Sequence, residues 1–129
     1  MIKFKSIILI LLAAGFSPTA KGQSTALQPF EGATHTYQWN GLQSGDDYEF
    51  YLTADASGQV ILDDGASGEF DFVGTRSGKV ASGQSTASVP IKWNLGSSLH
   101  AYYLWFKITA PGGCSNYRYV GVQPQINKF

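Results

Sequence analysis

The segment "AYYLWFKIT", Ala101 to Thr109, alternates between two sets of side chains along its whole length. One set is Tyr102, Leu104, Phe106 and Ile108, and the other is Tyr103, Trp105, Lys107 and Thr109. A period of two with aromatic and β-branched residues is typical of a strand with one buried face. The segment therefore predicts a β-strand whose first set points into a core.

Two further segments repeat this pattern. In Asp47–Thr53 and in Ser88–Trp93 every second residue is large and apolar; these residues are Tyr48, Phe50, Leu52, Val89, Ile91 and Trp93. Pro90 interrupts the second segment, and proline has no amide hydrogen to donate to a neighbouring strand. We therefore expect that strand to be an edge strand, or to be unpaired at Pro90.

The rest of the chain reads as short strands between turns. Weaker alternating segments lie at Thr34–Trp39, Gln59–Leu62, Glu69–Val73 and Tyr117–Gln123, and glycine, aspartate and proline separate them. Such residues favour turns. The segment from Gly74 to Gly83 reads as a longer, mobile connection. Short strands with regular turn signals, and no helical repeat of apolar positions, predict an all-β sandwich.

The first 22 residues have the pattern of a signal peptide. Lys3 and Lys5 precede about ten apolar residues, too few for the roughly 20 that a membrane-spanning helix needs. Ala20 and Gly22 then supply small residues for cleavage before Gln23, with a cut after Ala20 as the alternative. We expect a flexible leader at 23–30, a single sandwich domain at 31–129, and no membrane span. Export to the periplasm, the cell surface or the medium follows from this prediction.

Charge argues against nucleic acid as a partner. The whole chain has a formal net charge of zero, and the signal peptide would remove Lys3, Lys5 and Lys21. The remaining chain is mildly acidic and has no cluster of basic residues, which binding to a phosphate backbone would require.

Three stretches together resemble a known family. They are "DDYEFYLTA", "STASVPIKW" and "YYLWFKITAPGGCSN", within about residues 30 to 125. They resemble the PKD-like, immunoglobulin-like domains of exported bacterial proteins, many of them from gliding and type IX secretion systems. The resemblance implies an immunoglobulin-like (PKD-like) antiparallel β-sandwich of about seven strands. It also implies a place at the cell envelope or surface, in structural or adhesive roles.

Few residues suggest chemistry. Cys114 follows a Pro-Gly-Gly turn and is read first as a small, partly buried packing residue; it is also a candidate thiol for an intermolecular disulfide. His35 and His100 are expected at edges or on the surface. The acidic pairs Asp46–Asp47 and Asp63–Asp64 favour turns over a calcium site, although calcium binding stays open. We expect no metal, no cofactor and no catalytic residue, and hence no enzyme.

Outward-facing aromatic residues are the candidate binding site. In an immunoglobulin-like fold the strands at Asp47 and Ala101 are neighbours, which would place Tyr51, Tyr103 and Trp105 on one outer face, with Arg118 nearby. Exposed tyrosine and tryptophan in one patch mark contact surfaces. The alternative is that a loop, either 74–83 or the leader, covers them.

Two functions are compatible with these features. The first is an exported, non-catalytic binding or structural module that acts through protein–protein contacts and could self-assemble. The second is a carbohydrate-binding β-sandwich, because aromatic platforms suit sugar rings.

Overall fold

A computed structural model of the chain describes residues 23–62 and 68–126. The predicted signal peptide at 1–22 and the acidic pair Asp63–Asp64 lie outside these residues. No helix in the described residues is long and apolar enough to cross a membrane.

The described residues form eight β-strands and one short 3-10 turn. The strands are β1 (Thr34–Asn40), β2 (Asp47–Thr53), β3 (Ile61–Leu62), β4 (Phe70–Phe72), β5 (Ser77–Lys79), β6 (Thr86–Trp93), β7 (Tyr102–Thr109) and β8 (Ser115–Val122). The 3-10 turn, Ser97–Leu99, lies between β6 and β7. The all-β prediction is confirmed, with eight strands in place of about seven.

The strands form two antiparallel sheets. One has the order β1-β6-β4, and the other has the order β3-β2-β7-β8, with β5 pairing on β2 beside β3. In immunoglobulin-like sandwiches strands B, E and D share one sheet and strands C, F and G share the other. The orders β1-β6-β4 and β2-β7-β8 reproduce these two sets.

The core lies between the two sheets. The alternating residues predicted to point inward are buried on β2, β6 and β7, including Phe50, Leu52, Val89, Ile91, Trp93, Leu104 and Phe106. Trp93 packs against Phe70 and Tyr102 with ring centroids 6.3 and 5.1 Å apart. Strand alternation therefore assigned the core faces correctly, because each strand has one buried and one outer face.

Pro90 lies in a central strand. It has no amide hydrogen to donate, and the neighbouring strand β4 ends just before it would lie opposite Pro90. β6 pairs with β1 on one side and with β4 on the other, but β4 ends where Phe72 pairs with Ile91. The Pro90 carbonyl accepts a hydrogen bond from the Val73 amide at 2.9 Å. The expectation of an edge strand is wrong, and Pro90 is not unpaired either, because it lies opposite Thr36 of β1.

The segment 74–83 contains a strand that the sequence did not predict. Ser77–Lys79 pairs with Asp47–Glu49 as β5, and an ion pair joins Lys79 to Asp47 at 3.0 Å. Val80, directly after β5, is buried. The prediction of a mobile connection missed this strand because "SGK" has no apolar alternation.

The segment 23–30, predicted to be a flexible leader, has defined contacts with the sandwich. Backbone amides of Gln123 and Gln125 donate to Leu27 and Pro29 carbonyls at 2.9 and 2.7 Å. Phe30 then forms a parallel bridge with Gln125. The segment therefore lies beside the residues that follow β8.

Candidate functional site

The outer face of the larger sheet carries a cluster of aromatic side chains. Tyr51 on β2 lies opposite Trp105 on β7, and Trp105 lies opposite Tyr119 on β8. Tyr117 and Tyr103 extend the cluster along β8 and β7. Because directly paired residues of antiparallel strands point to the same side, register alone brings these rings together. We call these five residues the aromatic face.

The rings of the aromatic face contact one another. Tyr51 and Trp105 are parallel, with centroids 6.2 Å apart and planes 5° apart. Tyr119 lies closest to Trp105, at 4.7 Å between centroids. Tyr117 meets Trp105 edge-on at 77°, and Tyr103 meets Tyr119 at 71°. Edge-to-face and offset contacts are the favourable aromatic arrangements, so the cluster is held by its own packing.

One turn partly covers Trp105. The indole Nε1–H donates to the Thr53 hydroxyl at 2.9 Å, and that hydroxyl donates to the Asp55 carbonyl at 2.6 Å. Gly58 lies so close to the ring that a Cβ atom there would come within 2.9 Å of it. The covering element is therefore the turn at 55–58, whereas the sequence suggested 74–83 or the leader.

Asp55 organises this turn. Its carboxylate accepts hydrogen bonds from the Ser57 hydroxyl and from the amides of Gln59 and Val60. These bonds, first the one from Ser57 and then the one from Val60, stabilise the ionised form and lower the pKa of Asp55. The turn thus has a defined shape on the solvent side of Trp105.

Arg118 lies on the other side of the sheet. It pairs with Phe106, whose side chain is buried in the core, so Arg118 points toward the inner face while remaining exposed. The structure therefore brings Tyr51, Tyr103 and Trp105 together as predicted but places Arg118 apart from them.

Sequence reasoning missed the two most exposed rings of the site. Tyr117 and Tyr119 are 52% and 47% exposed on the edge strand β8. The sequence contained the information needed to find them. Arg118, Val120 and Val122 are two residues apart, so they lie on the same side of the strand, and the two apolar residues mark that side as the inner one. Tyr117 and Tyr119 alternate with them and therefore lie on the outer side.

A shallow depression borders the aromatic face. It has a volume of about 230 Å³ and is lined by Glu49, Tyr51, Ile61, Arg76, Lys107 and Tyr117. The Lys107 ammonium lies 5.7 Å from the centroid of the Tyr117 ring, within cation–π range. The site thus combines exposed rings with charges of both signs at its border.

The outer face of the smaller sheet has a different character. The outward residues of β1 are Thr34, Thr36, Gln38 and Asn40, and those of β6 include Ser88, Pro90 and Lys92. None of these is aromatic. The aromatic side chains exposed on strands are therefore concentrated on one side of the described molecule.

The remaining predicted candidates lie elsewhere. Cys114 is exposed in the turn before β8, so the prediction of a partly buried packing role is wrong, while an intermolecular disulfide stays a prediction. His35 Nε2 contacts the Ser24 hydroxyl at 2.6 Å, and His100 pairs with Glu69 at 3.0 Å. Within the described residues, no three acidic, histidine or cysteine side chains form a group that could hold a metal ion.

The chain matches no protein-family model, no curated protein and no solved structure. The resemblance to PKD-like domains therefore remains a prediction from the three quoted stretches.

Proposed function

We propose that this chain is an exported, non-catalytic binding or structural module of the cell envelope or surface that acts through protein–protein contacts. The observation that supports this most strongly is the aromatic face on one sheet, set against a polar outer face on the other. Tyrosine and tryptophan are enriched at the centres of protein interfaces, where their large area is gained at low cost in side-chain entropy.

The ring geometry favours a protein over a sugar on the aromatic face. A flat sugar ring needs an open aromatic surface, but Gly58 lies against the Trp105 ring. Tyr117 and Tyr103 stand nearly perpendicular to their aromatic neighbours. Such an uneven surface suits the side chains of a protein partner, which can insert between the rings.

The strand β8 adds a second kind of contact. It pairs with β7 on one side and stands at the edge of the sheet order, with Tyr117 and Tyr119 on its outer side. An edge strand can pair with an extended segment of another chain. Self-association through β8 would extend the sheet and join two aromatic faces side by side, so a second copy is one partner that this geometry allows.

The test uses substitutions that leave the core untouched. We expect the double variant Tyr117→Ser/Tyr119→Ser to stay folded with only a modest loss of thermal stability, because both rings are about half exposed and lie outside the core, and to lose partner binding. Truncation of two aromatic contact residues should weaken binding by about tenfold or more, which corresponds to about 1.4 kcal/mol or more. The measurement is co-purification from the native envelope with quantitative mass spectrometry, together with light scattering for self-association.

The matched control is Leu95→Ser/Leu99→Ser, which removes two exposed apolar side chains near the 3-10 turn (82% and 77% exposed). This variant should retain the same partner, or the same oligomer, as the unaltered protein. Equal retention by the tyrosine double variant would contradict the proposal.

A further inference from the structure

A cleft opens between the two sheets at the end of β1 and the start of β8. Its volume is about 580 Å³. β1 and the loop after it contribute Trp39, Asn40, Gln43 and Asp46, and β8 contributes Asn116 and Arg118. Asn116 and Arg118 lie on the inner side of the sheet, and Tyr117 of the aromatic face forms part of the cleft border.

The inward-facing residues of β8 change from apolar to polar at this cleft. Val122 is buried and Val120 packs against the core, as expected for inward positions of a sandwich strand. The next two inward positions are Arg118 and Asn116, which pair with Phe106 and Ile108. Polar residues at inward positions are unusual beside a core, so this end of the sandwich presents hydrogen-bonding groups where apolar ones would otherwise lie.

A fixed aromatic ring lies beside these polar groups. The Trp39 ring is parallel to the Phe106 ring, with 5.1 Å between centroids and 6° between planes. Phe106 is buried and also packs against Phe50 at 4.9 Å. Trp39 itself is only partly buried. The core therefore holds an accessible indole in one orientation.

The polar side chains around the indole are not engaged with one another. Within residues 23–62 and 68–126, the side chains of Gln43, Asp46, Asn116 and Arg118 make no hydrogen bond or ion pair. They supply two amides, one carboxylate and one guanidinium, which together offer both donors and acceptors. One positive and one negative charge leave the cleft close to neutral.

We propose that this cleft binds a short neutral oligosaccharide. The C–H face of a sugar ring packs on an aromatic ring, and its hydroxyls exchange hydrogen bonds with amide, carboxylate and guanidinium groups. The cleft volume lies within the roughly 300–1,000 Å³ of small-ligand sites, which combine an apolar surface with a few placed polar groups. The balanced charge selects a neutral sugar over an anionic one.

The test is an NMR titration of the ¹⁵N-labelled protein, purified after expression of the full chain. The probes are trimers of glucose, xylose, mannose and N-acetylglucosamine, each added to about 10 mM, which is about tenfold above the ~1 mM Kd of a weak complex. We expect at least one trimer to shift the indole N–H of Trp39 and the side-chain amide of Asn116 in a saturable manner.

The variants Arg118→Ala and Asn116→Ala should each weaken that binding by about fivefold or more. Both residues are exposed, and their side chains make no hydrogen bond or ion pair with the rest of the described chain, so neither change should unfold the protein. Leu95→Ser is the control and should bind the same trimer with unchanged affinity. Because the partner-retention assay reports on the aromatic face and this titration reports on the cleft, either proposal can fail alone.

Two results would overturn the saccharide proposal. One is the absence of any saturable shift at Trp39 with all four trimers. The other is unchanged affinity in both cleft variants. If Arg118→Ala forms oligomers while no trimer binds, Arg118 is an inward charge that protects an edge strand, and the saccharide proposal is wrong.

Discussion

Asp55 accepts hydrogen bonds from side-chain and backbone groups that follow it in the chain, and these bonds lower its pKa. Since the folded-state pKa lies below the unfolded value of about 3.9, the ionised carboxylate stabilises the turn above that value. This stabilisation is lost as the pH falls from about 4 through the lower folded-state pKa. The turn beside Trp105 should therefore loosen in acid.

We predict faster exchange of the Trp105 indole N–H below about pH 4, after correction for the intrinsic pH dependence of exchange. The reason is that protonated Asp55 can no longer hold the amides of Gln59 and Val60. In Asp55→Ala the exchange should be fast at every pH. Equal protection at pH 3 and pH 6 in the unaltered protein would show that the turn does not depend on the carboxylate.

At the scale of single elements, the turn at 55–58 depends on Gly58 for two separate reasons. Its φ of +76° is a conformation that other residues adopt at a cost, and its Cα lies close to the Trp105 ring. Gly83 has a similar φ of +84° but has nothing within 4 Å of the position where a Cβ would lie. Comparing the same substitution at the two positions therefore separates the cost of backbone strain from the cost of the close contact with Trp105.

We predict that Gly83→Ala lowers the free energy of unfolding by ~1–2 kcal/mol, the cost of the left-handed conformation alone. Gly58→Ala should cost more than this and should also shift the Trp105 indole resonance, because the ring must move away from the new methyl group. Urea denaturation measures the first effect and NMR the second. Equal losses in the two variants, with no shift at Trp105, would mean that the Trp105 ring does not restrict the side chain at position 58.

The elements also show how far the sequence could predict the fold and the site. Period-two alternation identified the inward faces of β2, β6 and β7, since burial on one side leaves a strong pattern. β5 left no such pattern, because Ser77–Lys79 is short and pairs through its backbone on an edge. Arg118 was placed beside the outer aromatic residues, although it alternates in phase with the apolar Val120 and Val122, which indicate the inner face of β8.

At the scale of the whole molecule, the two proposed sites differ in their chemistry. The aromatic face presents rings, and the cleft at the end of β1 presents polar groups around Trp39. No stretch of sequence contains either site, since the aromatic face uses β2, β7 and β8, and the cleft uses β1, its following loop and β8. Both depend on sheet order, which a pattern of alternation does not specify.

Tyr37 connects the N-terminal segment to both the smaller sheet and the core. Its hydroxyl donates to the Ala26 carbonyl and accepts the Trp93 indole N–H at 3.1 Å. Burial raises the pKa of Tyr37 to about 12, so the hydroxyl keeps its proton, and its ability to donate, through neutral pH. Removing this hydroxyl would leave the buried Trp93 N–H without its acceptor.

We predict that Tyr37→Phe lowers the free energy of unfolding by ~1–3 kcal/mol, the usual cost of unsatisfied buried polar groups. The amides of Gln123 and Gln125 should also exchange faster, because the segment that they bond is no longer held through Ala26. Urea denaturation and native-state hydrogen exchange measure the two effects. Tyr119→Phe, which removes a hydroxyl from a half-exposed ring, is the control and should change neither. If Tyr37→Phe destabilised the protein without faster exchange at Gln123 and Gln125, the N-terminal segment would be held by its backbone bonds alone.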